Sequence, residues 1–279
     1  MNVLNMCRYW RCILMVAVLF ARHAGADTGA EAAPDAWRFD VEASGWFPTA
    51  LYFRARTDVA SYSQRFGAKQ LMKMYRSGGV ARFSATKDPW GVFADFSYGD
   101  LHHTFEDSHG PSALGLNYPV EDGIRCAVLQ CGGSYRFGGE KVSCALRAGA
   151  QYLGVNTHFV LDDVNVNSNK HFVEPMAGGQ LDIRLLDRWM LTAWTNVSGF
   201  GLGTAFSLDS EARVSYRMSD KVKGFVGYRI FDVEYQQPAG SLVNVGFNNF
   251  KIPVSFYGHM DLEIEAMIQG PVAGLEIRW

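Results

Sequence analysis

The segment WRFDVEASGWF places Trp37, Phe39, Val41, Ala43, Gly45 and Phe47 on one side and Arg38, Asp40, Glu42 and Ser44 on the other. Side chains that alternate with a period of two belong to a β-strand. The pattern returns between Ala205 and Met218. There Phe206, Leu208, Ala212, Val214, Tyr216 and Met218 oppose Asp209, Glu211, Arg213, Ser215 and Arg217. A soluble sandwich alternates too. What narrows the choice is that the polar side carries full charges in strand after strand, while the other side is apolar and aromatic throughout. Barrel strands with lipid outside and a polar lumen inside have this form.

The same reading gives ten strands, at about 37–47, 78–87, 90–104, 122–137, 142–161, 172–186, 189–200, 204–218, 222–236 and 260–279. Very short joins, Lys87-Asp88-Pro89-Trp90, Phe137 to Lys141, Leu186-Asp187-Arg188-Trp189 and Met218 to Lys221, carry turn residues. The joins at 48–77, 105–121, 162–171 and 237–259 are long, and 201–203 is the exception. Long connections therefore gather at one rim and tight turns at the other. Glu174-Pro175 begins the sixth expected strand, where proline costs least. If 48–77 supplies a spanning hairpin, Leu51 to Val59 returning through Leu71 to Tyr75, the count becomes twelve and stays even.

Composition agrees and excludes alternatives. The chain has 29 Gly and 14% aromatic residues, which suits many strands joined by tight turns. With 48% hydrophobic and 19% charged residues it is not a disordered chain. A net charge of -2 lacks the basic excess that neutralises nucleic-acid phosphates. Mean hydropathy is -0.06, too low for helical spans, yet alternating barrel strands average to the same value.

The chain opens with Arg8 and Arg11, an apolar stretch from Cys12 to Ala21, and a small-x-small site at Ala24-Gly25-Ala26. This is the pattern of a secretory signal peptide, residues 1–26, followed by a short linker, 27–36, and the barrel, 37–279. Cys126, Cys131 and Cys144 remain after cleavage. A five-residue offset sets Cys126 and Cys131 on opposite faces, and the hairpin register expected here puts Cys144 opposite Tyr135. Three buried free thiols are expected, and no metal spacing such as C-x-x-C occurs.

Taking the faces as assigned, the lumen receives Arg38, Asp40, Glu42, Arg82, Asp95, Arg136, Arg147, Asp182, Arg184, Asp209, Glu211, Arg213, Arg217, Arg229, Glu276 and Arg278. Charges of both signs are interleaved, and buried charges are tolerable only when paired. A barrel of about eight strands is filled by its side chains and one of about sixteen holds water, so ten lies near the closed end. Trp90 and Trp189 sit at tight turns and Trp279 ends the chain, a periplasmic aromatic rim.

From Trp37 onward the chain resembles a large, mostly uncharacterised group of Gram-negative outer-membrane β-barrel proteins. The resemblance is carried by W-F-P-T at 46–49, ARFSATKDPWGVFADFSYGDL at 81–101, HFVEPMAGGQLDIRLLDRWMLTAWTNVSGFGLG at 171–203, SYRMSDKVKGFVGYRIFDVEY at 215–235 and QGPVAGLEIRW at 269–279. It implies an all-β transmembrane up-and-down barrel of the outer membrane. The aromatic carboxy terminus resembles the signal read by the barrel-insertion machinery. Where the group commonly has Arg and Asp in the strand before G-F-G, this chain has Trp194 and Asn196, which removes two lumen charges.

No ATP-binding motif, G-x-S-x-G elbow or H-E-x-x-H helix is present in the sequence. Asp100-x-His102 puts an acid and an imidazole on one face near the long-loop rim, where such a pair activates water, but a second D-x-D pair is missing. His102, His103 and His109 with Glu106 or Asp107 would suit a divalent metal, with no spacing that fixes them. The segment 48–77 carries Arg54, Arg56, Arg65, Lys69, Lys73 and Arg76 against Asp58. It reads as a surface for lipopolysaccharide phosphates, a solvated loop, or a hairpin extending the barrel. The expectation is a non-enzymatic barrel, structural or a narrow pore, without cofactor or metal. The alternatives are a hydrolase of lipid or peptide at the extracellular rim, and a binding or adhesion module built on the loops.

Overall fold

A computed structural model describes residues 36–57, 61–105, 120–161, 164–202, 204–237, 246–247 and 262–279. The expected signal peptide and the linker up to residue 35 lie outside them. In chain order come β1 (Arg38–Trp46), β2 (Ala50–Thr57), β3 (Ser61–Gly67), α1 (Ala68–Met74), β4 (Tyr75–Lys87), β5 (Trp90–Phe105), β6 (Val120–Gly138) and β7 (Val142–Leu161). They are followed by β8 (Val164–Arg184), β9 (Trp189–Gly199), β10 (Phe206–Arg217), β11 (Val222–Gln237), β12 (Gly246–Phe247) and β13 (Leu262–Arg278). Every pairing is antiparallel, and β13 closes on β1 through Asp40↔Arg278 to Trp46↔Val272. The result is a closed, all-β, ten-stranded barrel, in the order β1-β4-β5-β6-β7-β8-β9-β10-β11-β13.

The segment 48–77 does not add two walls. Phe47 and Thr49 donate backbone bonds to Pro271 and Gln269, so β2 continues β1 along the upper half of β13. β3 folds back on β2, and α1 then turns inward: Leu71 and Met74, three apart on one helix face, are buried against Leu51 and Leu101. The count of spanning strands stays at ten, and the hairpin extends the barrel at its long-connection end.

Two strand expectations change. β8 begins at Val164, not 172, because it pairs with β7 along its whole length, so Pro175 lies within the strand. Pairing with β9 stops at Met176↔Ser198, so Pro175 sits just past that ladder, at an open edge that tolerates it. Cys144 pairs with Phe137, two residues from the expected register, because the β6–β7 turn tightens around Gly138 at φ 113°, a left-handed conformation glycine allows. The three thiols are free, but Cys131 is exposed and the others half-buried rather than buried. Cys131 and Cys144 sit on the outward face, where a small side chain has nothing to cover it, whereas Cys126 packs inside the lumen.

The two faces of the wall decide the character of the barrel. Outward positions include Val92, Phe96, Leu129, Leu146, Val173, Val226 and Tyr228, all exposed. Inward positions hold buried Glu42, Asp95, Arg147, Asp209, Glu211, Arg229 and Glu276. A water-soluble barrel has the opposite arrangement, since exposing a large contiguous apolar surface to water is unfavourable. Trp90 meets Tyr135 edge-on at 4.9 Å, Trp189 meets Tyr216 at 4.9 Å, and Trp279 stacks on Phe39 at 6.1 Å. These exposed rings form a belt at the tight-turn end.

Candidate functional site: the filled lumen and its vestibule

The strand period sets every second side chain inward, and the interior is built in layers along the axis. At the tight-turn end, Arg278 grips Asp40 with two bonds of 2.5 and 3.2 Å. Asp182 accepts from Thr192 at 2.8 Å and Gln180 at 3.0 Å, with Arg136 at 3.5 Å. Arg38 pairs with Asp88 and Arg184 reaches Glu140 at 3.8 Å, both acids lying in turns. Arg217 faces inward here without a side-chain partner among the described residues. Together these groups line a cavity of about 790 Å³ that opens at this end.

Its floor is a continuous ionic network. Arg82 binds Glu211 through both oxygens, at 3.0 and 2.6 Å, and Glu42 at 2.9 Å. Arg213 pairs with Glu42 and approaches Glu211 and Glu276 at 3.7 and 3.8 Å. Lys223 closes on Glu276 at 2.5 Å, and Arg278 joins the mouth to the floor through Glu276 at 3.6 Å. Across the lumen Arg147 binds Asp95 at 2.5 Å. Trp194 stands among these cations, its ring 4.6 Å from the Arg82 guanidinium and 5.7 Å from those of Arg147 and Arg229. Trp194 thus supplies a shared π-face to three arginines.

Above the floor lies a layer of buried amides and hydroxyls. Arg229, 2% exposed, holds both oxygens of Asp209 at 2.8 and 2.6 Å and lies 5.0 Å over the Trp46 ring. Gln130 donates to Asp209 at 3.3 Å and to Gln151 at 2.7 Å, and accepts from Asn196 at 2.6 Å. Gln151 passes the chain to Glu174 at 2.9 Å. Glu174 is buried without an ion pair, and four donors compensate it: Gln151, Ser198 at 3.3 Å, and the Thr204 backbone and hydroxyl at 2.9 and 2.8 Å. Hydrogen bonding of this density is what makes a buried carboxylate tolerable. Gly178 leaves the space that Asn196 needs, since a Cβ there would lie 2.2 Å from its Oδ1.

An apolar cap completes the stack. Val128, Leu153 and Phe231 are buried with Trp46, Cys126, Val155, Phe172, Val233 and Ile268 around them. Ile268 also touches the cluster under α1, so the two apolar layers are continuous. The interior runs from open vestibule through salt bridges and amides to a closed apolar end.

All sixteen charged residues assigned to the lumen occupy inward register positions, and the structure joins most of them in these layers. Lys223, Glu174, Gln130, Gln151, Ser198 and Ser207 escaped the sequence reading. The signal was parity: all but Ser198, whose strand holds no assigned charge, sit in step with one, so Lys223 and Glu174 were legible, whereas neutral amides and hydroxyls do not announce a face. Asp100 and His102 point outward, and Asp100 lies 3.6 Å from Arg125, so this pair is not directed at the lumen. His109, Glu106 and Asp107, and the His103 side chain, lie outside the described residues. Among the described residues no group of His, Cys, Asp or Glu is placed to hold a metal.

No family model matches this sequence, and neither does any curated protein. Among solved structures the chain is similar to the outer membrane protease OmpT from Escherichia coli, at 11% identity and a TM-score of 0.49, over 91% of this chain and 99% of that one. It is also similar to the translocator domain of the autotransporter NalP from Neisseria meningitidis, at 12% identity and a TM-score of 0.38, over 99% and 98%. A third is the outer membrane protein OprG from Pseudomonas aeruginosa, at 11% and 0.37, over 88% and 97%. The fold thus resembles several Gram-negative outer-membrane barrels, and likenesses at this level extend no activity to this chain.

Proposed function

We propose that this protein is a non-enzymatic barrel of the Gram-negative outer membrane whose lumen is closed, with its tight-turn end in the periplasm. The carrying observation is the unbroken sequence of Arg229, Asp209, Gln130, Gln151 and Glu174, each at most 2% exposed, under the Val128, Leu153 and Phe231 cap. A water-filled path for ions needs continuous wet space, and side chains bonded to one another across the lumen fill it. The outward apolar surface and the Trp90, Trp189 and Trp279 belt support the membrane setting, since aromatic rings favour the lipid–water boundary. The carboxy-terminal strand ending in Trp279 is the segment offered to the barrel-insertion machinery.

The test is single-channel recording of the refolded mature chain in a planar bilayer. A flat trace from correctly folded protein is the expected result. Reproducible conductance steps would overturn closure and favour a narrow pore. A second reading concerns the other end, where Arg65, Lys69, Lys73 and Arg76 are exposed on and beside β3 and α1. Guanidinium and ammonium groups there are suited to lipopolysaccharide phosphates. Neutralising all four to Gln should weaken co-purification of lipopolysaccharide, measured against total protein, and leave the fold intact.

A further inference from the structure

The vestibule is richer in cations than the walls need. From the strands themselves, Arg38, Arg136, Arg184, Arg217 and Arg278 face its mouth, while the strand carboxylates at this level are Asp40 and Asp182. Asp40 is committed to Arg278 by two bonds, and Asp182 to Thr192 and Gln180, with Arg136 beyond them at 3.5 Å. Asp88 and Glu140, which answer Arg38 and Arg184, are turn residues 53% and 90% exposed, where solvent weakens such pairs. Arg217 has no side-chain partner at all among the described residues. By contrast the floor is balanced: Arg82, Arg213 and Lys223 are answered by Glu42, Glu211 and Glu276. The β8–β9 turn adds one charge of each sign, Asp187 and Arg188, so the surplus of the open chamber centres on Arg217.

We infer that this chamber is a binding site for a small oxyanion bearing at least two negative charges, phosphate or carboxylate in type, entering from the periplasm. Arg217 and Arg184 are the groups that hold it, and Arg136, two strands from Arg184, supports them. A guanidinium presents paired donors that match two oxygens of either anion. Narrow walls of low dielectric focus the field of the surplus cations on the cavity. The ionic floor sets the depth to which a ligand descends, because its arginines are already paired with Glu42, Glu211 and Glu276. The volume of about 790 Å³ admits a small molecule and not a folded domain.

The experiment is calorimetric titration of the refolded mature chain in zwitterionic micelles with pyrophosphate and, separately, citrate. Saturable binding tighter than about 1 mM to either is expected. Pyrophosphate alone would mark a phosphate ligand, citrate alone a carboxylate ligand, and both an unselective oxyanion site. Arg217→Ala and Arg184→Ala should each weaken binding about tenfold or more, while Arg125→Ala, which removes an exposed guanidinium on the outward face of β6, leaves it unchanged. Absence of binding to both probes, or binding unchanged in the Arg217→Ala, Arg184→Ala double variant, overturns the proposal. Both side chains are exposed, so the variants should fold, which heat-dependent gel migration checks. The inference rests on the closed-lumen reading only in making the chamber a dead end. Titration in micelles involves no transmembrane path, so a barrel that conducts and binds refutes closure and keeps the site.

Discussion

Trp194 has an unusual place for a tryptophan in a charged lumen. It is 5% exposed, with the guanidinium groups of Arg82, Arg147 and Arg229 all within 5.7 Å of its ring. Each of those arginines already has its own carboxylate, in Glu211, Asp95 and Asp209, so a further cation here would find none free. Trp194→Arg should therefore destabilise the barrel by about 3 to 5 kcal/mol, the cost of an uncompensated buried charge. Asn196 stands two residues along on the same face, so adding Asn196→Asp should recover part of that loss, with a coupling of about 0.5 to 3 kcal/mol. Equilibrium denaturation of the four proteins in lipid vesicles measures the cycle. Strict additivity would mean that positions 194 and 196 do not act as a pair.

At the scale of the strand, the wall has a depth-dependent tolerance for charge. Leu129 is exposed on the outward face of β6, opposite Phe96 and Tyr152, well away from the aromatic belt. Leu186 is as apolar and more exposed, but it lies in the β8–β9 turn. Leu129→Arg should cost about 2 to 4 kcal/mol in a bilayer and Leu186→Arg about 0 to 1 kcal/mol, read from the same denaturation midpoints. Equal costs would contradict the proposed membrane setting. Trp279 belongs to the closing seam, where its amide bonds to Phe39 at 3.0 Å and its ring stacks on Phe39. Trp279→Ala should lower the fraction that reaches the folded, heat-modifiable form during assisted insertion. Strand positions were readable from sequence because each charge marks its whole face by parity, as Glu211 and Arg213 do for β10. β3, α1 and the early start of β8 were not readable. Their register comes from pairing with β2 and β7, and Val164 to Lys170 carry a single charge, Lys170, to mark a face in the sequence.

For the whole molecule, the sequence told which residues enter the lumen but not which would meet. Partners such as Arg82 and Glu211, or Arg213 and Glu42, are 129 and 171 residues apart and come together only through closure. The same closure stacks two barriers in series, the Arg229–Asp209–Gln130 layer and the Val128–Leu153–Phe231 cap. Opening one leaves the other, so removing the cap alone with Val128→Gly, Leu153→Gly and Phe231→Gly should leave the barrel silent in a planar bilayer. Arg229→Ala with Asp209→Ala, which deletes a charge pair without leaving either member unpaired, should also be silent. Of the three sets only the five changes combined should conduct, because they alone open both layers above the ionic floor. Each large-to-small change in the cap costs about 2 to 5 kcal/mol, so folding of every variant is checked by heat-dependent migration before recording. Conductance from either partial set would show that one layer alone seals the barrel, and the other would then be a brace for the wall.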